Sequence, residues 1–102
     1  SMYYVYFLYS PLADKYYVGV SADPWKRLSQ HLNNNTDKFT GKFKDWILVA
    51  VFEVSTIKGE AIRIEKFIKQ QKSRKLIEKI LDPNFLGTGV LAQLVRVPHA
   101  RD

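Results

Sequence analysis

Residues 3–21 read YYVYFLYSPLADKYYVGVS. The stretch 3–9 is aromatic and β-branched, which is the composition of a strand. Ser10-Pro11-Leu12-Ala13-Asp14-Lys15 is a polar, proline-containing turn, and residues 16–21 return as a second strand. A connection this short predicts an antiparallel hairpin. Side chains alternate along a strand, so Tyr4 and Tyr6 share one face of the first strand, and Tyr17 and Gly19 share one face of the second. Pairing of the strands can bring Tyr6 and Tyr17 together, although aromatic packing of a hairpin needs no function.

Outward from the hairpin, Asp23-Pro24 starts a helix, with Asp23 as N-cap and Pro24 in the first turn. Trp25, Leu28 and Leu32 form its apolar stripe, and the run Asn33-Asn34-Asn35 ends it. Residues 36–45 are polar and basic and predict a loop. Residues 46–54, WILVAVFEV, are apolar enough for a strand buried on both faces. A second helix, capped by Thr56 and running to about Gln71, buries Ile57, Ala61, Ile64 and Ile68. A third spans 73–81 with Ser73 as N-cap, and Asp82-Pro83-Asn84 stops it. The expected fold is α/β of the α+β kind, ββαβαα, with a three-stranded, mainly antiparallel sheet flanked by helices. The expected division is a domain over residues 1–82 and a tail over 83–102, extended or partly disordered. Within that tail VLAQLVRV suits a β-like arm that pairs with another chain at a sheet edge, which would make a homodimer.

The 102 residues suit one domain with one core. The chain has no cysteine, which excludes disulfides, cysteine-bound zinc and thiol catalysis. No apolar run approaches the roughly 18 residues of a membrane span, and no signal-peptide pattern is visible. The expected location is therefore cytoplasmic, with no membrane partner. A net charge of +6 and a pI near 9.6 favour a polyanionic partner.

Three groups of residues stand out. Glu65 lies within the apolar stripe of the second helix, where a carboxylate needs either a cation or a lysine or arginine beside it. Arg27 and His31, at i and i+4, project together from the first helix. There an arginine can hold a phosphate and a histidine can relay a proton, or both can line a solvated flank. Arg63, Lys66, Lys69, Lys72, Arg74, Lys75 and Lys79 make the last two helices basic, and Lys38, Lys42 and Lys44 do the same for the central loop, interleaved with Phe39 and Phe43. Such groups suit contact with a nucleic-acid backbone, and the phenylalanines could stack a base.

Tyr4-Val5-Tyr6, then Tyr17-Val18-Gly19, then Arg27 and His31, then a helix carrying Glu65, together resemble the GIY-YIG nuclease superfamily. The stretch EAIRIEKFIKQQKSRKLI, Glu60 to Ile77, resembles its short stand-alone bacterial members. The resemblance covers residues 3–81. It implies a metal-dependent endonuclease acting on DNA more readily than RNA, in repair or recombination. Glu65 would bind one Mg²⁺ or Mn²⁺ ion, Tyr6 would lie near the attacking water and is favoured over Tyr17 as the general base, and Tyr17 would position water or phosphate. Arg27 would stabilise phosphate charge, His31 would support the tyrosines, and Gly19 would let the backbone pass close to the site. A free phenol titrates near 10, so a tyrosine base needs cations nearby. Where larger members carry an asparagine after the metal-binding helix, this chain has Lys72 and Ser73. Nothing in it resembles a base-reading helix, so recognition of branches, flaps or nicks is expected, alone or with a partner protein. The alternative expectation is a non-catalytic nucleic-acid-binding module.

Overall fold

β1 (Tyr3–Ser10) and β2 (Lys15–Ser21) pair antiparallel, with Tyr6 opposite Gly19 and Leu8 opposite Tyr17. This hairpin belongs to a computed structural model that describes residues 1–33 and 40–98. Asp14 closes the turn in the left-handed region at φ 52°, a conformation that aspartate tolerates better than most residues. Asp45 steadies the turn from outside: its carboxylate accepts from the Ser10 hydroxyl at 2.7 Å and from the Leu12 N–H at 2.8 Å. β3 (Ile47–Ser55) pairs antiparallel with the other side of β1. β1 therefore lies between β2 and β3, and Val5, Phe7 and Leu8 have no exposed surface.

The expectation of three strands is corrected to four. β4 (Val95–Val97) pairs antiparallel with β3, giving the order β2-β1-β3-β4. Three residues are too few to show a period of two, and a 3₁₀ turn over Gly89–Gln93 interrupts the pattern just before them. Within this chain the arm read as VLAQLVRV thus divides between that turn and a strand on its own sheet. Leu91 of the turn is buried in the core.

Helices cover both faces of the sheet. α1 (Pro24–Asn33) packs Trp25, Leu28 and Leu32 against Tyr6, Leu8, Trp46, Leu48 and Val51, as its stripe predicts. α2 (Lys58–Gln71) and α3 (Arg74–Leu81) cover the opposite face, where Ala61, Ile64, Ile68 and Ile80 meet Val5, Phe7, Val18, Ala50 and Phe52. The Asp23 carboxylate accepts from the Lys26 N–H at 3.1 Å, and the Ser73 hydroxyl accepts from the Leu76 N–H at 3.0 Å, so both expected caps are present. Thr56 is not the cap of α2. The N-cap is Ile57, which offers no side-chain acceptor, and the Ser55 hydroxyl takes the Ile57 N–H at 2.9 Å instead. Ile57 itself is 58% exposed rather than part of the stripe. Among the described residues no helix is long and apolar enough to cross a membrane.

Candidate active site

The site begins with a missing side chain. A Cβ on Gly19 would lie 2.5 Å from both the Tyr6 Cζ and its hydroxyl oxygen. Glycine therefore lets the Tyr6 ring lie flat across the neighbouring strand. The ring carries its hydroxyl to His31 Nε2 at 2.9 Å, and His31 Nδ1 meets Thr40 Oγ1 at 2.7 Å. The Thr40 carbonyl accepts from Trp46 Nε1–H at 2.8 Å. Tyr6 is 1% exposed and His31 and Thr40 are fully buried. Both imidazole nitrogens are engaged, so in the neutral ring one donates and the other accepts, and a proton can move along the chain by exchanging those roles.

Tyr17 lies at the open side of this chain. Its ring centroid is 4.9 Å from that of His31 and 6.3 Å from that of Tyr6. From α2, Lys69 reaches over the Tyr17 ring with Nζ 5.5 Å from the centroid. The same ammonium lies 3.4 Å from Glu65 Oε2. Glu65 is 18% exposed at its side chain, and its partner is a lysine one turn along the helix. The cluster therefore gathers residues from β1, β2, α1 and α2 at the β2 edge of the sheet. Arg27, half-buried on α1, donates to Gln30 Oε1 at 3.3 Å.

The basic residues do not converge on one face. Lys69 joins the tyrosine cluster, and Arg63, Lys66, Lys72, Lys75 and Lys79 are exposed along α2, α3 and their junction. Lys42 and Lys44 are exposed near α1, on the other side of the sheet, and Lys38 lies outside the described residues. Arg74 has a separate structural task. It donates to the Asp14 carbonyl at 2.8 Å and to the Asp14 carboxylate at 2.7 Å, while its guanidinium lies 5.1 Å from the Tyr16 ring centroid. The Tyr9 hydroxyl also donates to the Asp14 carboxylate at 2.7 Å. That bond and then Arg74 hold the Asp14 carboxyl below its usual range, and the same bond pushes the Tyr9 phenol up.

Among the described residues no group of three or more histidines and carboxylates gathers as a metal cage. The donor set at the cluster is the single carboxylate of Glu65. That fits Mg²⁺, which keeps several waters and is held by one or two carboxylates together with substrate phosphates.

Thr40 and Trp46 are the members of the site that sequence reasoning does not pick out. Thr40 stands in the middle of a polar stretch read as loop, where nothing marks it as buried. The structure places it at the start of a short 3₁₀ turn, Thr40–Lys42.

Comparison with protein families matches residues 2–78 to the model described as the GIY-YIG catalytic domain. Comparison with curated proteins and with solved structures returns no match.

Proposed function

Because the chain belongs to the GIY-YIG catalytic domain family, a family of endonucleases, we infer that it is a divalent-metal-dependent endonuclease that hydrolyses nucleic-acid phosphodiesters at branches, flaps or similar discontinuities, DNA before RNA, in repair or recombination. The observation that carries this reading is the hydrogen-bonded chain Tyr6–His31–Thr40 beside Tyr17, over whose ring lies Lys69, the ion-pair partner of Glu65.

Glu65 would hold one Mg²⁺ or Mn²⁺, which when bound supplies positive charge to the phosphate. Tyr6 serves as the proton acceptor. As a water proton passes to its oxygen, its own hydroxyl proton passes to His31 Nε2, and the water oxygen attacks phosphorus in line. Tyr6 is 1% exposed, so the water it serves is one held inside the site, and Tyr17 would hold it. Arg27 offers charge to the phosphate from α1, and solvent protonates the leaving oxygen. Lys69, 3.4 Å from Glu65 Oε2 and over the Tyr17 ring, would offer its charge to the phosphate.

Cleavage of supercoiled plasmid and of a labelled branched duplex tests this, each with Mg²⁺, with Mn²⁺ and with chelator. The expected outcome is metal-dependent cutting, preferring the branched duplex and lost in Glu65→Gln. Undiminished cutting by Glu65→Gln would overturn the role of that carboxylate. Salt-sensitive binding without any cutting would leave a nucleic-acid-binding module in place of an enzyme.

A further inference from the structure

Beside the tyrosine cluster is a cavity of about 310 Å³ lined by Tyr16, Tyr17, Val18, Ile68, Lys69 and Ile77. A second, of about 250 Å³, shares Tyr16, Ile68 and Ile77 with it and is bordered by Asp14, Lys15, Lys72, Ser73 and Arg74, the Asp14 carboxylate being taken up by Arg74. The two adjoin along the edge strand β2, between that strand and the helices α2 and α3. The floor is apolar, since Val18 and Ile68 are buried. One wall is aromatic, and lysines stand at the lip. The Tyr16 ring is held in place by Tyr9, 4.9 Å away between centroids, and by Arg74.

An apolar slot of this size, at the lower end of the roughly 300–1,000 Å³ typical of small-molecule pockets, takes one flat ring system. Aromatic walls with cations at the rim match the two parts of a nucleotide, a stacking base and an anionic phosphate. A base inside a duplex has both its faces stacked and its edge paired, so it cannot enter without leaving the helix. Two of the lining residues, Tyr17 and Lys69, also belong to the candidate active site, so an occupant of the slot is continuous with whatever strand is cut there.

We propose that this cleft holds the unpaired nucleotide flanking the cleaved phosphate, with its base against Tyr16 and the next phosphate near Lys72, so that the substrate is cut beside single-stranded rather than continuous duplex nucleic acid. The proposal rests on the nuclease reading above and names the strand that reading requires. The preference for discontinuous substrates then comes from the need for a base free to turn into the cleft.

Two measurements on the full chain test it separately. In the first, Glu65→Gln binds a flap oligonucleotide carrying 2-aminopurine at each unpaired position beside the junction in turn. Fluorescence is expected to fall at one position as the base stacks, to stay unchanged for the same base in a closed duplex, and to stay unchanged when the variant also carries Tyr16→Ala. In the second, the wild type cuts flaps with a single abasic nucleotide placed on either side of the cut. Loss of the flanking base is expected to slow cutting about tenfold, the scale of one stacked base, and an abasic nucleotide farther away to have no effect. Equal cutting of abasic and intact flaps together with unchanged fluorescence overturns the cleft and leaves the nuclease standing. A positional fluorescence response without cutting of any substrate supports the cleft and overturns the nuclease reading. No response and no cutting overturn both.

Discussion

At the scale of single residues, space rather than backbone freedom explains Gly19, because the Tyr6 ring occupies the volume a methyl group would need. Gly19→Ala is expected to push that ring off His31, to cost about 1–3 kcal/mol in urea unfolding and to lower activity with it. Tyr6→Phe leaves His31 Nε2 facing the place of the lost hydroxyl. It is expected to cost about 1–3 kcal/mol by the same measurement, as a buried polar group loses its partner. The residues of this network differ in how far the sequence reveals them. Tyr6, Tyr17 and Gly19 follow from strand alternation, and His31 and Glu65 from helical spacing, because periodicity places side chains on faces. Thr40 has no period to belong to. Lys69 is visible in the sequence as a basic residue one helical turn from Glu65, but only the approach of α2 to β2 brings it over Tyr17.

Between elements, the junctions carry the strain and the charge. Lys72 links α2 to α3 in the left-handed region at φ 48°, where a residue with a Cβ is disfavoured. Lys72→Gly is expected to raise stability by about 1 kcal/mol, read as a higher melting temperature. The hairpin turn is anchored to α3 through Asp14 and Arg74, and α2 is tied to the later 3₁₀ turn through Glu60, whose carboxylate accepts from Gln93 at 2.7 Å. Tyr9 and Arg74 depress the Asp14 carboxyl, and Ser55 and Gln93 depress that of Glu60. Because both groups are more acidic folded than unfolded, they stabilise the fold above the ordinary carboxylate range near 4, and that contribution is lost as pH falls through the depressed values. A melting temperature flat from neutral pH to about 5 and falling below about 4 is expected, with a shallower acid decline in Arg74→Ala. These anchors are invisible in the sequence, since Asp14 and Arg74 are far apart in the chain and each looks like an ordinary surface charge.

For the whole molecule, the boundary expected after residue 82 meets a C-terminal segment that fills part of the core. Leu91 belongs to the same core cluster as Ile64, Ile80 and Phe52, and β4 covers the outer edge of β3. A chain ending at Asp82 is expected to melt at a lower temperature and, with the β3 edge opened, to self-associate in size-exclusion chromatography. A melting temperature and elution volume unchanged by the truncation would show the segment to be dispensable. The layer order was legible because the first 81 residues are strongly patterned. The closing turn and strand were not, because their stability comes from what they cover rather than from their own composition.

The position of β1 at the centre of the sheet also has a consequence for the order of assembly. β1 meets β2 almost at once during synthesis, but its other neighbour, β3, is made only after α1 and the stretch that follows it, and β4 is made later than β3. During synthesis the nascent hairpin therefore holds its most apolar strand open on one side. Closure waits on a contact distant in sequence, so docking of β3 is expected to be slow beside formation of the hairpin.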